Sequence, residues 1–272
     1  MRRMEAAPEK ARERKSMPVA KANGIHINYQ IEGEGHPLLM VAGLGADLSI
    51  WNRQVPVLSK HYKLIRFDNR GVGKSDKPVG EYSTKIMADD AVGLLDALGI
   101  DKAIVLGISM GGMIAQEISI THPQRVSKLI LACTYACQNR ESGNSDKAKK
   151  LLTLSGLRFS WGFMFLICNS RLLSLIFFVL SVIKATKDTK AAYKSQLVAC
   201  LKHSALDRLE LITAPTLVIF GTNDRLIRPS SSELIASRIP NAKLAKIADG
   251  SHMMFMESAP AFNSEVLSFL SQ

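Results

Sequence analysis

Cysteine is scarce in this chain. Four residues among 272 are too few and too scattered for the disulfide framework of a small secreted domain. Cys133 and Cys137 are close together, while Cys168 and Cys200 stand apart in apolar surroundings. No Cys/His group has zinc-like spacing, which argues against a structural metal site. Reduced, buried thiols in a cytoplasmic compartment are the simpler expectation. A long apolar run is also lacking. The nearest candidate, residues 159–183, is interrupted by Asn169-Ser170-Arg171, and each half falls short of the roughly 18–20 residues that a membrane span requires. A charge at mid-span is costly too, so no spanning segment is expected. The first 17 residues hold no apolar stretch and do not look like a secretory signal. Internal repeats are absent.

Positive charge, by contrast, is plentiful. The formal net charge is +11, and part of it sits before Pro18, where Arg2, Arg3, Lys10, Arg12, Arg14 and Lys15 outnumber Glu5, Glu9 and Glu13. Such an arm can attract nucleic acid or anionic lipid. The plainer reading is a solvated tail, with no nucleic-acid partner expected. A hydrophobic content of 47% with 22% charged residues is that of an ordinary globular protein. The length suffices for one large α/β domain with a full core.

From residue 18 onward, the patterns alternate. Val19–Lys21 and Ile25–Ile31 predict an antiparallel hairpin turning at Asn23-Gly24. Apolar runs at 38–42, 62–67, 102–106 and 128–132 predict strands, with helical spacing at 88–98 and 112–122 between them. From 134 to 211 the strands stop, and a polar stretch precedes three helix-like runs. Alternation resumes with a strand at 216–220, a helix around 231–238 and a strand near 243–247, and ends in a helix at 260–270. The expected fold is therefore α/β: a mostly parallel eight-stranded sheet covered by helices on both faces. Residues 18–133 and 212–272 would form the core, 134–211 a helical lid over the strand C-termini, and 1–17 a basic arm.

The chemistry centres on Gly107-Ile108-Ser109-Met110-Gly111, set between a strand and a helix. A serine in so tight a turn takes a strained backbone, and only glycines let the neighbouring chain pass. Its hydroxyl needs a base, and the base needs an orienting acid. Of six histidines, His252 alone follows a late strand at the sheet edge that presents Ser109; His26, His36, His61, His122 and His203 do not. Asp224, directly after the run Thr216–Phe220, is the acid candidate, with Asp68, Asp96 and Asp249 as competitors. The order Ser109, Asp224, His252 is that of nucleophile, acid and base in a hydrolase elbow. The backbone amides of Leu44, between two glycines, and Met110, at a helix start, are the candidate oxyanion donors.

These features together resemble the α/β-hydrolase family from about Pro18 to the C-terminus. Phe67-Asp68-Asn69-Arg70-Gly71-Val72-Gly73-Lys74-Ser75 looks like its D-x-R-G-x-G-x-S loop, Ile219–Asp224 like its acid turn, and Gly250-Ser251-His252 like its histidine loop. The nearest groups are small esterases, enol-lactone hydrolases and cofactor-free perhydrolases. The resemblance implies hydrolysis of a carboxylic ester or lactone through a serine acyl-enzyme, with no metal or cofactor. Perhydrolase, thioesterase or carbon–carbon hydrolase chemistry on the same triad stays open, as does a non-catalytic ligand receptor. Trp161, Phe163, Phe165, Phe177 and Phe178 point to a small hydrophobic ester-type substrate, and the basic arm with the apolar lid to weak membrane-surface contact. Oligomeric state is open.

One departure from the family pattern is Ala42-Gly43 in place of His-Gly, which predicts a looser oxyanion loop. A second is a helical insert with no subfamily signature. Gly71–Ser75 also ends like a phosphate-binding P-loop, but Asp68 and Arg70 stand where the leading glycine and open amides should be.

Overall fold

In the computed structural model, the described residues are 18–138, 143–151, 156–183 and 187–272. Strands β1 (Val19–Ala22) and β2 (Ile25–Glu32) pair antiparallel. Asn23 and Gly24 between them have φ of 46° and 77°, the doubly positive turn that matches strand twist. The chain then runs through β3 (Pro37–Val41), α1 (Val55–Leu58), β4 (Lys63–Phe67), α2 (Thr84–Ala97), β5 (Ala103–Ile108), α3 (Met110–Thr121) and β6 (Val126–Ala132). Helix α2 starts four residues before its apolar periodicity because the Ser83 side chain caps it, accepting from Ile86 N at 3.1 Å.

After β6 come α4 (Asp146–Leu151), α5 (Gly156–Ile167), α6 (Arg171–Ile183) and α7 (Lys187–Lys202). The only β pairing among the described residues of this insertion is an isolated bridge between Asn144 and Ile227. The remaining elements are β7 (Thr216–Gly221), α8 (Pro229–Arg238), β8 (Lys243–Ile247), α9 (Met254–Glu257) and α10 (Ala259–Leu270).

The eight strands form one sheet in the order β1-β2-β4-β3-β5-β6-β7-β8, with every pair from β4 to β8 parallel. All residues of β5 and β7 are buried, as a parallel sheet covered on both faces requires. Fully enclosed side chains such as Leu39, Ile65, Val105 and Leu129 each contribute about 1.5–3 kcal/mol. The topology also locates a site. From β3 the chain steps outward to β4, then crosses back through α2 to place β5 on the other side of β3. A crevice opens at such a switch point, outside the strand C-termini. The loops after β3 and β5, carrying Leu44 and Ser109, flank it.

Candidate active site

Ser109 occupies the single residue between β5 and α3, with φ 56° and ψ −120°. A non-glycine residue in such a conformation costs about 1–3 kcal/mol. Its surroundings hold it there: Ser109 N donates to Ala132 O at 2.9 Å, and Ser109 O accepts from Gly112 N at 2.9 Å and Thr134 Oγ1 at 2.8 Å. The flanking glycines are a steric necessity. A Cβ on Gly107 would lie 2.2 Å from Gly111 O, and one on Gly111 would lie 2.0 Å from Val41 O. Both obstacles are backbone, which has little room to move.

Two strands away, the loops after β7 and β8 are tied together. Thr222 N donates to Ile247 O at 3.0 Å and Asn223 N to Gly250 O at 2.9 Å. That tie brings His252 Nδ1 to 2.8 Å from Asp224 Oδ2. Asp224 Oδ1 accepts from the amides of Leu226 at 2.9 Å and Ile227 at 3.0 Å. The two side chains are 6% and 2% exposed. An ionised carboxylate only accepts, so the Nδ1 proton points at Asp224 and the lone pair of Nε2 is left to serve as base.

The competing residues are engaged elsewhere. Asp96 pairs with Arg125 at 2.6 Å, and Asp249 is exposed. Asp68 is a structural clamp whose carboxylate accepts from Leu48 N, Asn28 Nδ2 and Lys74 N at 2.8, 2.8 and 2.9 Å. In the P-loop-like segment, the amides of Gly71, Val72, Lys74 and Ser75 are taken by protein acceptors, so these four are not free to cradle phosphate. His26 and His122 face Asp76 and Asp89, His36 faces Ser127, and His61 lies beside the Tyr62 ring.

His203 is enclosed, with Nδ1 3.0 Å from Thr84 Oγ1 and Nε2 3.3 Å from Gln116 Oε1. Burial pushes its pKa down to about 4. The nearby Glu117 does not reverse this, because Arg208 already holds that carboxylate at 2.7 and 3.0 Å.

The amides of Leu44 and Met110 take part in no hydrogen bond among the described residues. Gly43 runs against the nucleophile: its Cβ position would be 3.4 Å from Ser109 Cβ. Met110 N opens α3, where the helix dipole favours negative charge. Where the family histidine is replaced by Ala42, two other side chains tie the loop. Asn69 Nδ2 donates to Ala42 O at 3.0 Å, and Gly45 N donates to Gln196 Oε1 at 3.0 Å. Gln196, fully buried on α7, in turn donates through Nε2 to Arg70 O at 2.8 Å. Gly45 has φ 67°, and a Cβ there would meet the Tyr193 ring at 2.8 Å. Sequence reasoning missed Asn69 and Gln196 because both act on loops distant along the chain.

Ser109 opens on a cavity of about 40 Å³ whose walls include Leu44, Met113, Tyr135, Phe163, Leu197 and Leu226; no lining residue is ionisable as an acid or base near neutrality. Of the aromatic residues singled out in the insertion, Phe163 lines this cavity, while the Trp161 and Phe165 rings pack against each other at a tilt, 4.6 Å between centroids. The side chains of Phe177 and Phe178, and the whole arm 1–17, lie outside the described residues.

Cys133, one residue beyond β6, was also missed as a neighbour of the acid. Its sulfur, an Asp224 oxygen and a His252 nitrogen lie within 4.8 Å of one another. This is the one such cluster among the described residues, and it is poorly suited to a cation. His252 and Asp224 are spent on each other, and burial followed by the Asp224 charge pushes the Cys133 thiol far up, keeping it protonated. We read it as a donor to Asp224.

Residues 36–259 match the family model described as the alpha/beta hydrolase fold. A putative non-heme bromoperoxidase, BpoC, of Mycobacterium tuberculosis is 30% identical over 263 residues, covering 90% of this chain and 97% of that protein. A 3-oxoadipate enol-lactonase of Acinetobacter baylyi is 29% identical over 261 residues, covering 90% and 93%. Among solved structures, the enol-lactonase of Burkholderia xenovorans superposes with a TM-score of 0.80 at 29% identity, covering 94% of this chain and all of that one.

Proposed function

The chain belongs to the α/β-hydrolase fold family, and on that premise we propose that it cleaves a carboxylic ester or lactone through a serine acyl-enzyme. The observation that carries this reading is the buried His252–Asp224 pair at 2.8 Å, on the same sheet edge as a strained serine beside two unused amides. Ser109 Oγ attacks the acyl carbonyl while His252 Nε2 takes its proton. Asp224 holds the imidazole in register and stabilises the imidazolium. The oxyanion forms between the amides of Leu44 and Met110, each donor worth about 3–4 kcal/mol in the transition state. Collapse of this intermediate expels the alcohol, which leaves with the proton from His252. Water then repeats the sequence on the acyl-enzyme and releases the acid.

The cavity narrows the substrate class. Its uncharged, largely apolar walls favour a hydrocarbon acyl group. A chain ending in a carboxylate would lose hydration there without gaining a cationic partner, a loss of several kcal/mol. So the 3-oxoadipate type of lactone, although named for one relative, fits this cavity poorly. The test is Ser109→Ala, assayed on a p-nitrophenyl ester panel graded by acyl length and by fluorophosphonate labelling. Turnover should fall by about 10⁴-fold or more and labelling should vanish; undiminished turnover refutes the mechanism. Peroxide replacing water in the second step is a second reading, favoured by the likeness to a protein named as a bromoperoxidase. Product analysis with and without peroxide separates the two.

A further inference from the structure

Helix α6 is apolar nearly all round: among Arg171–Ile183, only Arg171, Ser174 and Ser181 are polar. Its inner side is accounted for, with Ser174 buried and Leu173 packed on the core. Its outer side is not. Leu172, Leu175, Ile176 and Val179 are 66%, 44%, 43% and 44% exposed. These positions are spaced i, i+3, i+4 and i+7, so they form one stripe along the helix. A helix that is hydrophobic on every side belongs in a core or against a non-aqueous phase. Nothing among the described residues buries this stripe.

The charge of the segment that carries it indicates what does. Residues 143–190 hold eight Lys and Arg against two Asp, and one of those acids, Asp146, is already paired with Arg228 at 2.7 Å. Lys147, Arg171 and Lys190 are exposed on α4, α6 and α7. An apolar stripe carried by a strongly basic segment is the signature of a helix lying in the plane of a lipid–water interface. We propose that the outer face of α6 seats this protein on an anionic phospholipid bilayer, with the stripe at the acyl boundary and the basic side chains on the headgroups. A second copy is the poorer occupant, because it would bring two strongly basic segments together. The inference rests on α6 and the segment that carries it, and does not depend on the role of Ser109.

Flotation of the full chain with vesicles tests it. One set is phosphatidylcholine alone, and the other contains about 30% phosphatidylglycerol. Binding to the anionic set should exceed binding to the neutral set by about tenfold or more, and should collapse when salt rises from about 0.05 to about 0.5 M. Leu175→Asp with Val179→Asp, both on exposed positions, should return anionic binding to the neutral level while leaving the melting temperature unchanged. The proposal is overturned if both vesicle types bind equally, if the double variant floats like the native chain, or if sedimentation shows a dimer that the double variant dissolves. Ser109→Ala should float normally, so loss of the catalytic reading and loss of this one are separately visible.

Discussion

Replacing Gln196 by methionine tests whether a helix of the insertion sets the oxyanion loop. The side chain is fully buried and joins two loops, accepting from Gly45 N at 3.0 Å and donating to Arg70 O at 2.8 Å. Methionine has nearly the same shape but can serve neither. Each backbone group left without a partner costs about 1–3 kcal/mol, so the melting temperature should fall. The activity effect has a different origin. Gly45 directly follows Leu44, whose amide is a proposed oxyanion donor, and deleting such a donor costs about 3–4 kcal/mol. Here the donor is displaced, not deleted. About half that value, roughly 1.5–2 kcal/mol, corresponds to a loss of about 10–30-fold in kcat.

The assay is steady-state hydrolysis of a short p-nitrophenyl ester, well below the variant's melting temperature. We expect kcat to fall with KM little changed, because the contact matters once the oxyanion forms. Fluorophosphonate labelling should slow in parallel. Gln196→Glu keeps an acceptor for Gly45 N but sets a carboxylate against Arg70 O, so its rate should lie between native and Gln196→Met. A methionine variant that melts lower yet turns over at the native rate would refute the argument, since the loop would then be shown to hold its geometry unaided.

Two further outcomes follow from the same geometry. In Asp224→Asn, the amides of Leu226 and Ile227 keep an oxygen at the Oδ1 position, so the new NH₂ faces His252 Nδ1 and forces the proton onto Nε2; kcat should drop roughly 10⁴-fold with the fold intact by circular dichroism. His203 predicts an acid-sensitive fold: its pKa is about 4 when folded against an ordinary value of 6.5, so the unfolded chain binds the extra proton between those values. Stability should be full above pH 6.5 and decline as pH falls toward 4, by about 3 kcal/mol in all. Thermal melts across that range, compared with those of His203→Gln, should show the decline in the native chain and a flatter profile in the variant.

Most strands were legible in the sequence as short apolar runs closed by Gly, Asp or Asn, though β6 runs into Cys133 and β8 alternates in polarity and runs into Ala248. The hairpin at Asn23-Gly24 was legible because its turn demands two positive φ values. Helix α2 was only partly so: its periodicity begins at Ala88, while its true start is set by the Ser83 cap. Asp224 and His252 were legible as residues just past strand ends. Their contact was not, since it rests on the tie between the β7 and β8 loops.

What the sequence determined by itself was local: periodicity, turn chemistry, and the two glycines without which the Ser109 turn could not close. The tertiary structure alone decided what depends on separate segments meeting. It set Cys133 beside Asp224, put Asn69 on the carbonyl of Ala42, and inserted Gln196 between two loops well over a hundred residues away. It also enclosed His203 while leaving one side of α6 in the open. A residue's type records which bonds it is able to make, but the neighbour that completes each bond is chosen only when the sheet assembles and distant loops share one edge.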